Sequence, residues 1–251
     1  SMPLPAGVES TVFMIPSGSA VPGQRAGLPS PLTGGVAVIV VSSALPTISP
    51  ANVALDATSQ TANVGDTNPG VMGPGGTVGV SALALPQLKK PELQLQPSAG
   101  AYNTISYGLR VDGANSRIRG FSTFGFGKTS GVGADLHAVG SGALIEGNAV
   151  GTVATSFSDP GAGQRSNYFG ILVTGNFAVV QRNLVGWTSY QGIGAGSSNA
   201  LIAGNTVQAA DQSKTGCCGD GIGSWGSDSL VTANLSTGNG AAGIDLAGGA
   251  R

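Results

Sequence analysis

The stretch "GILVTGNFAVVQRNLVGWTSYQGIGAGSSNALIAGNTV", residues 170–207, contains one pattern twice. Gly170 and Gly192 are each followed directly by an aliphatic residue, by a second aliphatic residue at position ten, and by asparagine at position thirteen. A third copy begins at Gly221. Recurrence at fixed offsets is typical of repeat architectures, in which each unit packs on the next.

Further units begin at Gly108, at Gly133 with two inserted residues, and at Gly243. Successive starts are 25, 37, 22, 29 and 22 residues apart, so 22 residues is the bare unit and longer spacings carry loops. Apolar residues alternate with a period of two, which predicts strands, and glycine is too frequent for long helices. Three short strands per unit predict an all-β fold, a parallel β-helix with coils about 4.8 Å apart.

One asparagine per unit is expected to form a column along this solenoid. A stacked side-chain amide can donate to one neighbour and accept from the other, which satisfies polar groups at a buried corner. We interpret the column as structural. Its members are Asn148, Asn183, Asn205 and Asn234.

Four segments carry a resemblance to a known family. They are "ALPTISPANVALDATSQTANVGDTNPG" (44–70), "SRIRGFSTFGFG" (116–127), "ALIEGNAVGTVATS" (143–156) and the ending "NGAAGIDLAGGAR" (239–251). From about Val36 onward the chain resembles the right-handed parallel β-helix repeat proteins of the pectate-lyase-like superfamily. More narrowly, it resembles β-helix modules of large secreted or surface proteins of bacteria. This superfamily includes lyases, hydrolases, adhesins and passive stalks, so the resemblance implies a fold without choosing a function.

The whole chain, 1–251, is predicted to be one β-helix domain. Residues 2–60 are expected to supply an N-terminal cap and the first coils, and the Gly/Pro-rich residues 61–90 a long loop. Regular coils then run over 91–251, interrupted by insertions at 152–169 and 208–219. Long loops on a rigid solenoid are common places for function.

The amino-acid composition limits the types of partner and the cellular locations that are expected. Charged residues are only 9% of the chain and the net charge is −1, which argues against nucleic acid or an anionic membrane as the main partner. No run approaches the roughly 20 apolar residues of a membrane-spanning helix. Few charges and many small polar residues favour an extracellular or bacterial cell-surface location. The opening Ser1-Met2 is typical of a cloning remnant, so we expect a monomeric domain excised from a longer chain without its signal peptide.

Cys217 and Cys218 are adjacent in "TGCCGDG". They could form a vicinal disulfide that stiffens a loop, a thiol pair directed at a partner, or two free thiols, and the disulfide is favoured over redox catalysis. A metal site is not expected, because no second Cys/His pair completes four ligands.

The outward positions of the first strand are predicted to place four polar residues on two neighbouring coils: Arg110, Asp112, Asp135 and His137. As a catalytic site, the two carboxylates would act as acid and base, or would hold Ca²⁺ while Arg110 or His137 handles a proton. Alternatively, the same residues form an ordinary solvent-exposed face, where they favour solubility and make surface ion pairs. The motifs typical of pectate lyases and polygalacturonases are absent, which favours the second interpretation.

The remaining outward positions are mainly glycine, with Thr174 along the way, and predict a bare, flat floor that ends at Trp225. Trp225 and Thr174 are the candidate binding residues, since an exposed indole can stack on a sugar ring. A cover over Trp225 from the 208–219 insertion is the alternative, and it is favoured slightly.

Two functions therefore remain open. The preferred one is a non-enzymatic extracellular module, either a rigid spacer or an adhesin-like face that binds a glycan or a protein. The alternative is a polysaccharide lyase or glycoside hydrolase acting on an acidic polysaccharide. No cofactor is expected, and Ca²⁺ enters only under the enzyme alternative.

Overall fold

The computed structural model describes residues 7–128, 133–212 and 219–247. Within them the chain steps in rotation through three all-parallel sheets, here called sheets 1, 2 and 3 after the order of strands in a repeat unit. The predicted all-β parallel β-helix is confirmed. Among the described helices, none is long and apolar enough to cross a membrane.

Each sheet collects the equivalent strands of successive coils. Sheet 1 contains β9 (Tyr107–Val111), β12 (Ala134–Ala138), β15 (Phe169–Val173), β18 (Ile193–Ala195), β21 (Ile222–Ser224) and β24 (Ile244–Leu246). Sheet 2 contains β1 (Glu9–Thr11), β3 (Val53–Asp56), β10 (Arg117–Arg119), β13 (Leu144–Glu146), β16 (Val179–Gln181), β19 (Leu201–Ala203) and β22 (Leu230–Thr232). Sheet 3 contains β2 (Ala37–Val41), β8 (Leu93–Pro97), β11 (Phe121–Thr123), β14 (Ala149–Val150), β17 (Leu184–Gly186), β20 (Thr206–Gln208) and β23 (Leu235–Thr237).

The inward aliphatic side chains form continuous columns, as the alternation predicts. In sheet 2, Ile118, Ile145, Val180 and Ile202 are direct neighbours in successive strands, and all four are fully buried. Burial of one such side chain contributes about 1.5–3 kcal/mol. Because this burial is repeated in every coil, it is the main contribution to the stability of the stack.

The asparagines form a hydrogen-bonded ladder at the corner between sheets 2 and 3. The amide nitrogen Nδ2 of Asn148 donates to Oδ1 of Asn183 at 3.0 Å, Asn183 to Asn205 at 3.0 Å, and Asn205 to Asn234 at 2.9 Å. The same Nδ2 atoms also donate to a backbone carbonyl of the preceding coil, as from Asn183 to Ile145 at 3.0 Å. Each of these interior side chains therefore connects three successive coils.

The segment between β3 and β8 departs from the loop predicted over 61–90. It contains helix α1 (Thr58–Val64) and two nested antiparallel pairs, β4 (Val71–Met72) with β7 (Leu88–Lys89), and β5 (Thr77–Val78) with β6 (Leu83–Ala84). These two antiparallel pairs form a ribbon over the outer face of sheet 3, where Met72 and Leu88 pack on Ala149 and Leu184.

Helix α1 lacks the apolar periodicity that marks most helices, because its sequence is TSQTANV. Only Gln60 and Val64 are buried in it. Gln60 holds the N-terminal segment instead: its Oε1 accepts from the backbone N–H of Ile15 at 2.8 Å, and its Nε2 donates to the Ile15 carbonyl at 2.7 Å. A side-chain hydrogen bond of this kind leaves no trace in hydrophobic patterning.

Candidate functional site: an aromatic and acidic cleft on sheet 1

The register of sheet 1 corrects the alignment of the second repeat unit. Leu136 pairs with Leu109 on one side and Ile171 on the other, so the column position of the repeat glycine is taken by Asp135. The residues at this position in successive strands are Gly108, Asp135, Gly170, Gly192, Gly221 and Gly243. The unit starts at Asp135 rather than Gly133, and the expectation that the Asp135 side chain faces solvent was wrong.

Asp135 is fully buried. Its Oδ1 accepts from the backbone N–H of Phe126 at 3.1 Å, and its Oδ2 accepts from the hydroxyl of Ser166. Burial raises the pKa of this carboxyl from 3.8 to about 7, although both hydrogen bonds favour the charged form. A substrate at the surface cannot reach it, so Asp135 does not act as an acid or base on a bound glycan.

His137 does lie on the outer face, directly beside Arg110, but it is packed away from water. Its ring stacks on Tyr107 with a centroid separation of 4.9 Å, and its exposed fraction is 6%. Neither ring nitrogen has a hydrogen-bond partner among the described residues. Burial, with a contribution from Arg110, lowers the pKa of His137 from 6.5 to about 4, so the imidazole is neutral at physiological pH.

Arg110 and Asp112 bind each other. The guanidinium donates from Nε to Oδ1 at 2.8 Å and from Nη2 to Oδ2 at 3.1 Å, and it lies 5.1 Å from the centroid of the Tyr107 ring. The four residues proposed for catalysis thus divide into a surface ion pair, a buried neutral histidine and a buried carboxyl. They do not converge on one point, and no group of three or more His, Cys, Asp or Glu suited to a metal occurs in the described part of the chain.

Sheet 1 instead carries a cleft of about 380 Å³ toward its C-terminal end. Trp225 stands at one side and is 45% exposed, so the described chain does not cover it. The cleft is lined by Phe169, Tyr190, Gln191, Asp220, Gly223, Ser224, Trp225, Asp245 and Ala247. The cleft therefore combines an accessible indole, further aromatic rings, two carboxyl groups and an amide.

Glycines on the outer face of sheet 1 leave room for these side chains to pack directly against the backbone. A Cβ atom at Gly196 would lie 2.6 Å from Nε1 of Trp225, and one at Gly194 would lie 2.5 Å from the Phe169 ring. At Gly223 a Cβ atom would overlap the amide of Gln191. The floor is thus covered rather than bare, because three large side chains lie flat against strands that have no side chains of their own at these positions.

Behind the cleft, aromatic rings support one another. The centroids of Tyr168 and Tyr190 are 4.5 Å apart with nearly parallel planes, and Phe169 meets Tyr190 edge-on at 5.6 Å. Phe169 is also 6.3 Å from Trp225. Offset-stacked and edge-on contacts of this kind are favourable arrangements of aromatic pairs, and they hold the wall in place.

Asp220 and Asp245 give the cleft its charge. Oδ1 of Asp220 accepts from the backbone N–H of Ala242 at 3.1 Å, and Oδ2 accepts from Nε2 of Gln191 at 3.2 Å. Asp245 lies on β24, where it pairs with Gly223 of the neighbouring strand. Burial raises the pKa of Asp220, and the negative charge of Asp245 raises it further.

The other candidate residues lie apart from this cleft. Thr174 is exposed on the same face but does not line it. Cys217 and Cys218 lie outside the described residues, so the disulfide stays a prediction. On sheet 2, Arg119 bonds Asp56 at 2.5 Å and lies 3.8 Å from Glu146, which is a surface ion-pair network of modest stabilising effect.

Most wall residues of the cleft were missed, although the sequence carried a signal for them. Phe169, Gln191 and Asp220 each stand immediately before the glycine that opens a unit. This position falls at the end of connections of unequal length, so the repeat pattern does not predict where its side chains lie. In the structure the three residues follow the stacking of the coils and form one side of the cleft.

Comparison with known proteins gives no match: neither a protein-family model, nor a curated protein, nor a solved structure is significantly similar to the chain. Function is therefore inferred from the chemistry of the site.

Proposed function

We propose that the protein is a glycan-binding β-helix module, and that the sugar binds in the cleft beside Trp225. The observation that carries this proposal is an indole that is 45% exposed, yet is held in place by Gly196 and flanked by hydrogen-bonding side chains. Sugar rings have apolar faces that stack on aromatic rings and hydroxyl edges that need polar partners. Gln191, Asp220 and Asp245 supply such partners around the indole.

The position of the cleft supports binding over a purely structural role. Trp225 is exposed, yet it is packed against Gly196 and lies next to the Phe169 ring, so its position in the recess is fixed. Concave sites with aromatic walls and a few convergent polar groups are typical of small-molecule ligands. The cleft suits one or two sugar residues of a longer chain.

The proposal also includes the location of the protein. A composition with few charges and many small polar residues, together with the resemblance to bacterial β-helix modules, favours an adhesin-like part of a secreted or cell-surface protein. In that setting the rod acts as a rigid support, and the cleft on its side is the recognition element.

Fluorescence titration with neutral oligosaccharides tests the proposal. The chain has two tryptophans, so a Trp187→Phe background makes the emission report on Trp225 alone. We expect a cello-, xylo- or chito-oligosaccharide to change this emission saturably. Trp225→Ala in the unmodified chain should weaken binding about tenfold or more, as measured by calorimetry. Binding that survives Trp225→Ala unchanged, or the absence of binding across all glycans tested, would contradict the proposal.

A glycoside hydrolase is the second candidate, because the same cleft holds two neighbouring carboxyl groups. Glycosidases require one protonated and one ionised carboxyl, and the raised pKa of Asp220 fits the acid. Under this candidate, Asp220→Asn abolishes the release of reducing ends from a bound oligosaccharide while binding persists. Binding without turnover in the parent protein would rule it out.

A further inference from the structure

The cleft beside Trp225 has an excess of negative charge. Asp220 and Asp245 both line it, and no lysine or arginine is among its described lining residues. The donors to Asp220 are a backbone N–H and the amide of Gln191, both neutral. Asp245 takes part in none of the ion pairs formed by the described residues.

Three aspartates elsewhere on the rod are paired with arginine. Asp112 is bonded to Arg110, Asp56 to Arg119 and Asp159 to Arg165. Among the described residues, Asp220 and Asp245 have no such arginine partner. Their mutual repulsion and the burial of Asp220 raise the pKa of Asp220, and a bound cation would relieve this unfavourable interaction.

The aromatic rings of the cleft favour the same kind of ligand. The face of an indole or phenol ring carries partial negative charge and attracts a cation within about 6 Å of its centroid. Trp225, Phe169 and Tyr190 surround a space that also touches both carboxyl groups. Aromatic faces combined with carboxylates are well suited to an ammonium group attached to a ring.

We propose, building on glycan binding at Trp225, that the ligand is an amino-sugar glycan whose free ammonium group is bound by Asp220 and Asp245. The sugar ring stacks on the indole, and the ammonium on the same or the adjacent sugar replaces the missing basic partner of the two acids. An acidic polysaccharide would place a carboxylate next to these acids and is rejected. This choice reverses the acidic substrate expected for an enzyme on this rod.

Three tetrasaccharides of equal length and different charge test the specificity: oligomers of glucosamine, of N-acetylglucosamine and of galacturonate. Calorimetry on the whole chain at about pH 6 keeps the free amines protonated. We expect the glucosamine oligomer to bind at least tenfold more tightly than the acetylated one, and the galacturonate oligomer not to bind. The preference should shrink with added salt, because it arises from charge.

Two variants separate specific recognition from general attraction between opposite charges. Asp245→Asn should remove most of the preference for free amines, because it should weaken binding of the glucosamine oligomer far more than binding of the acetylated one. Asp112→Asn, on the same face but remote from the cleft, is the matched control and should change neither affinity. Unchanged circular dichroism and melting temperature of both variants exclude misfolding as the cause.

The outcomes distinguish this inference from the proposed function. If the acetylated oligomer binds as tightly as the free amine and Trp225→Ala abolishes its binding, the glycan proposal stands and the ammonium inference is wrong. A preference for glucosamine that persists in both Asp245→Asn and Trp225→Ala also overturns the inference, because the cation is then bound elsewhere. If none of the three oligomers nor any neutral glycan binds, both proposals fail.

Discussion

The indole of Trp225 lies so close to Gly196 of the preceding coil that a methyl group on this glycine would come within 2.6 Å of Nε1. A tryptophan at the end of one strand is thus positioned by the absence of a side chain on the strand before it. The contact links the repeat to the candidate site, because the stacking of coils brings these two residues together.

Replacement of Gly196 by alanine should displace the indole and reduce glycan affinity about tenfold, with little loss of stability. The reason is steric, since the new Cβ atom occupies the place of the ring edge. Gly100→Ala is the matched control, because a Cβ atom there meets no atom within 4 Å. Titration and thermal melts of both variants check the prediction, and equal affinities would show that the ring position is unimportant for binding.

Loss of an interior member of the asparagine ladder should be more damaging than loss of its half-buried member. Asn183→Ala leaves the backbone N–H and the side-chain amide of Asn148 without their acceptor, both inside the rod. We expect a cost of roughly 3 kcal/mol or more. Asn234→Ala should cost about half as much, because water reaches that site. Urea unfolding of the two variants measures the difference, and equal costs would argue against the ladder as a buried network.

Asp135 should make the protein less stable as pH rises through neutrality. Its folded-state pKa of about 7 exceeds the ordinary 3.8, so its stabilising contribution is complete below about pH 4 and is lost as the carboxyl ionises toward pH 7. Asp135→Asn mimics the protonated form and should raise stability at pH 8 by up to ~4 kcal/mol. Stability curves between pH 4 and 8 check this, and a variant less stable than the parent at pH 8 would contradict it.

His137 should act in the opposite direction. Its pKa is lowered from 6.5 to about 4, so its contribution is present above pH 6.5 and is lost as pH falls through about 4. Because the chain has a single histidine, its ring proton resonances report this pKa directly by NMR. His137→Phe keeps the stacking on Tyr107, removes the charge and should be more stable than the parent at pH 4. An NMR pKa near 6.5 would show that the ring is solvated.

Phe177 occupies a corner where the backbone is left-handed, with φ of 59°, and its side chain is 61% exposed. The equivalent residue of the next coil is Asn199, with φ of 55°. Asparagine tolerates this conformation better than phenylalanine, so Phe177→Asn should stabilise the protein by about 1 kcal/mol. The reverse change, Asn199→Phe, should destabilise it by a similar amount. Denaturation midpoints compare the pair, and a stabilising Asn199→Phe would refute the argument.

The sequence predicted the coils because packing in a solenoid repeats with the chain. Ile118, Ile145, Val180 and Ile202 recur at one offset and stack at one place, and the asparagines do the same. Asp135 was expected at the surface because its contacts with Phe126 and Ser166 exist only in the folded chain. The second unit was also aligned two residues too early, because Gly133 lies two residues ahead of the position that glycine holds elsewhere. A shift of two keeps the alternation intact, so hydrophobic patterning alone could not detect the error.

The cleft was only partly predictable for a different reason. Trp225 lies at a regular offset and was recognised as a candidate, whereas Tyr190, Gln191 and Asp220 end connections whose lengths vary. Whether these side chains come together depends on how each connection returns to sheet 1, which is determined by the tertiary structure. The absence of a described arginine or lysine beside Asp220 also cannot be read from the sequence, because it depends on which charges lie nearby in space.

The asparagine ladder has a consequence for how such a rod can lengthen. The amides of Asn148, Asn183 and Asn205 each bond to the coil before and to the coil after, so the joints along this part of the rod share the same hydrogen bonds. A duplicated unit of 22 residues that carries its own asparagine should therefore be accepted between existing coils without redesign of its neighbours. Growth by copying would lengthen the rod in steps of about 4.8 Å, one coil at a time.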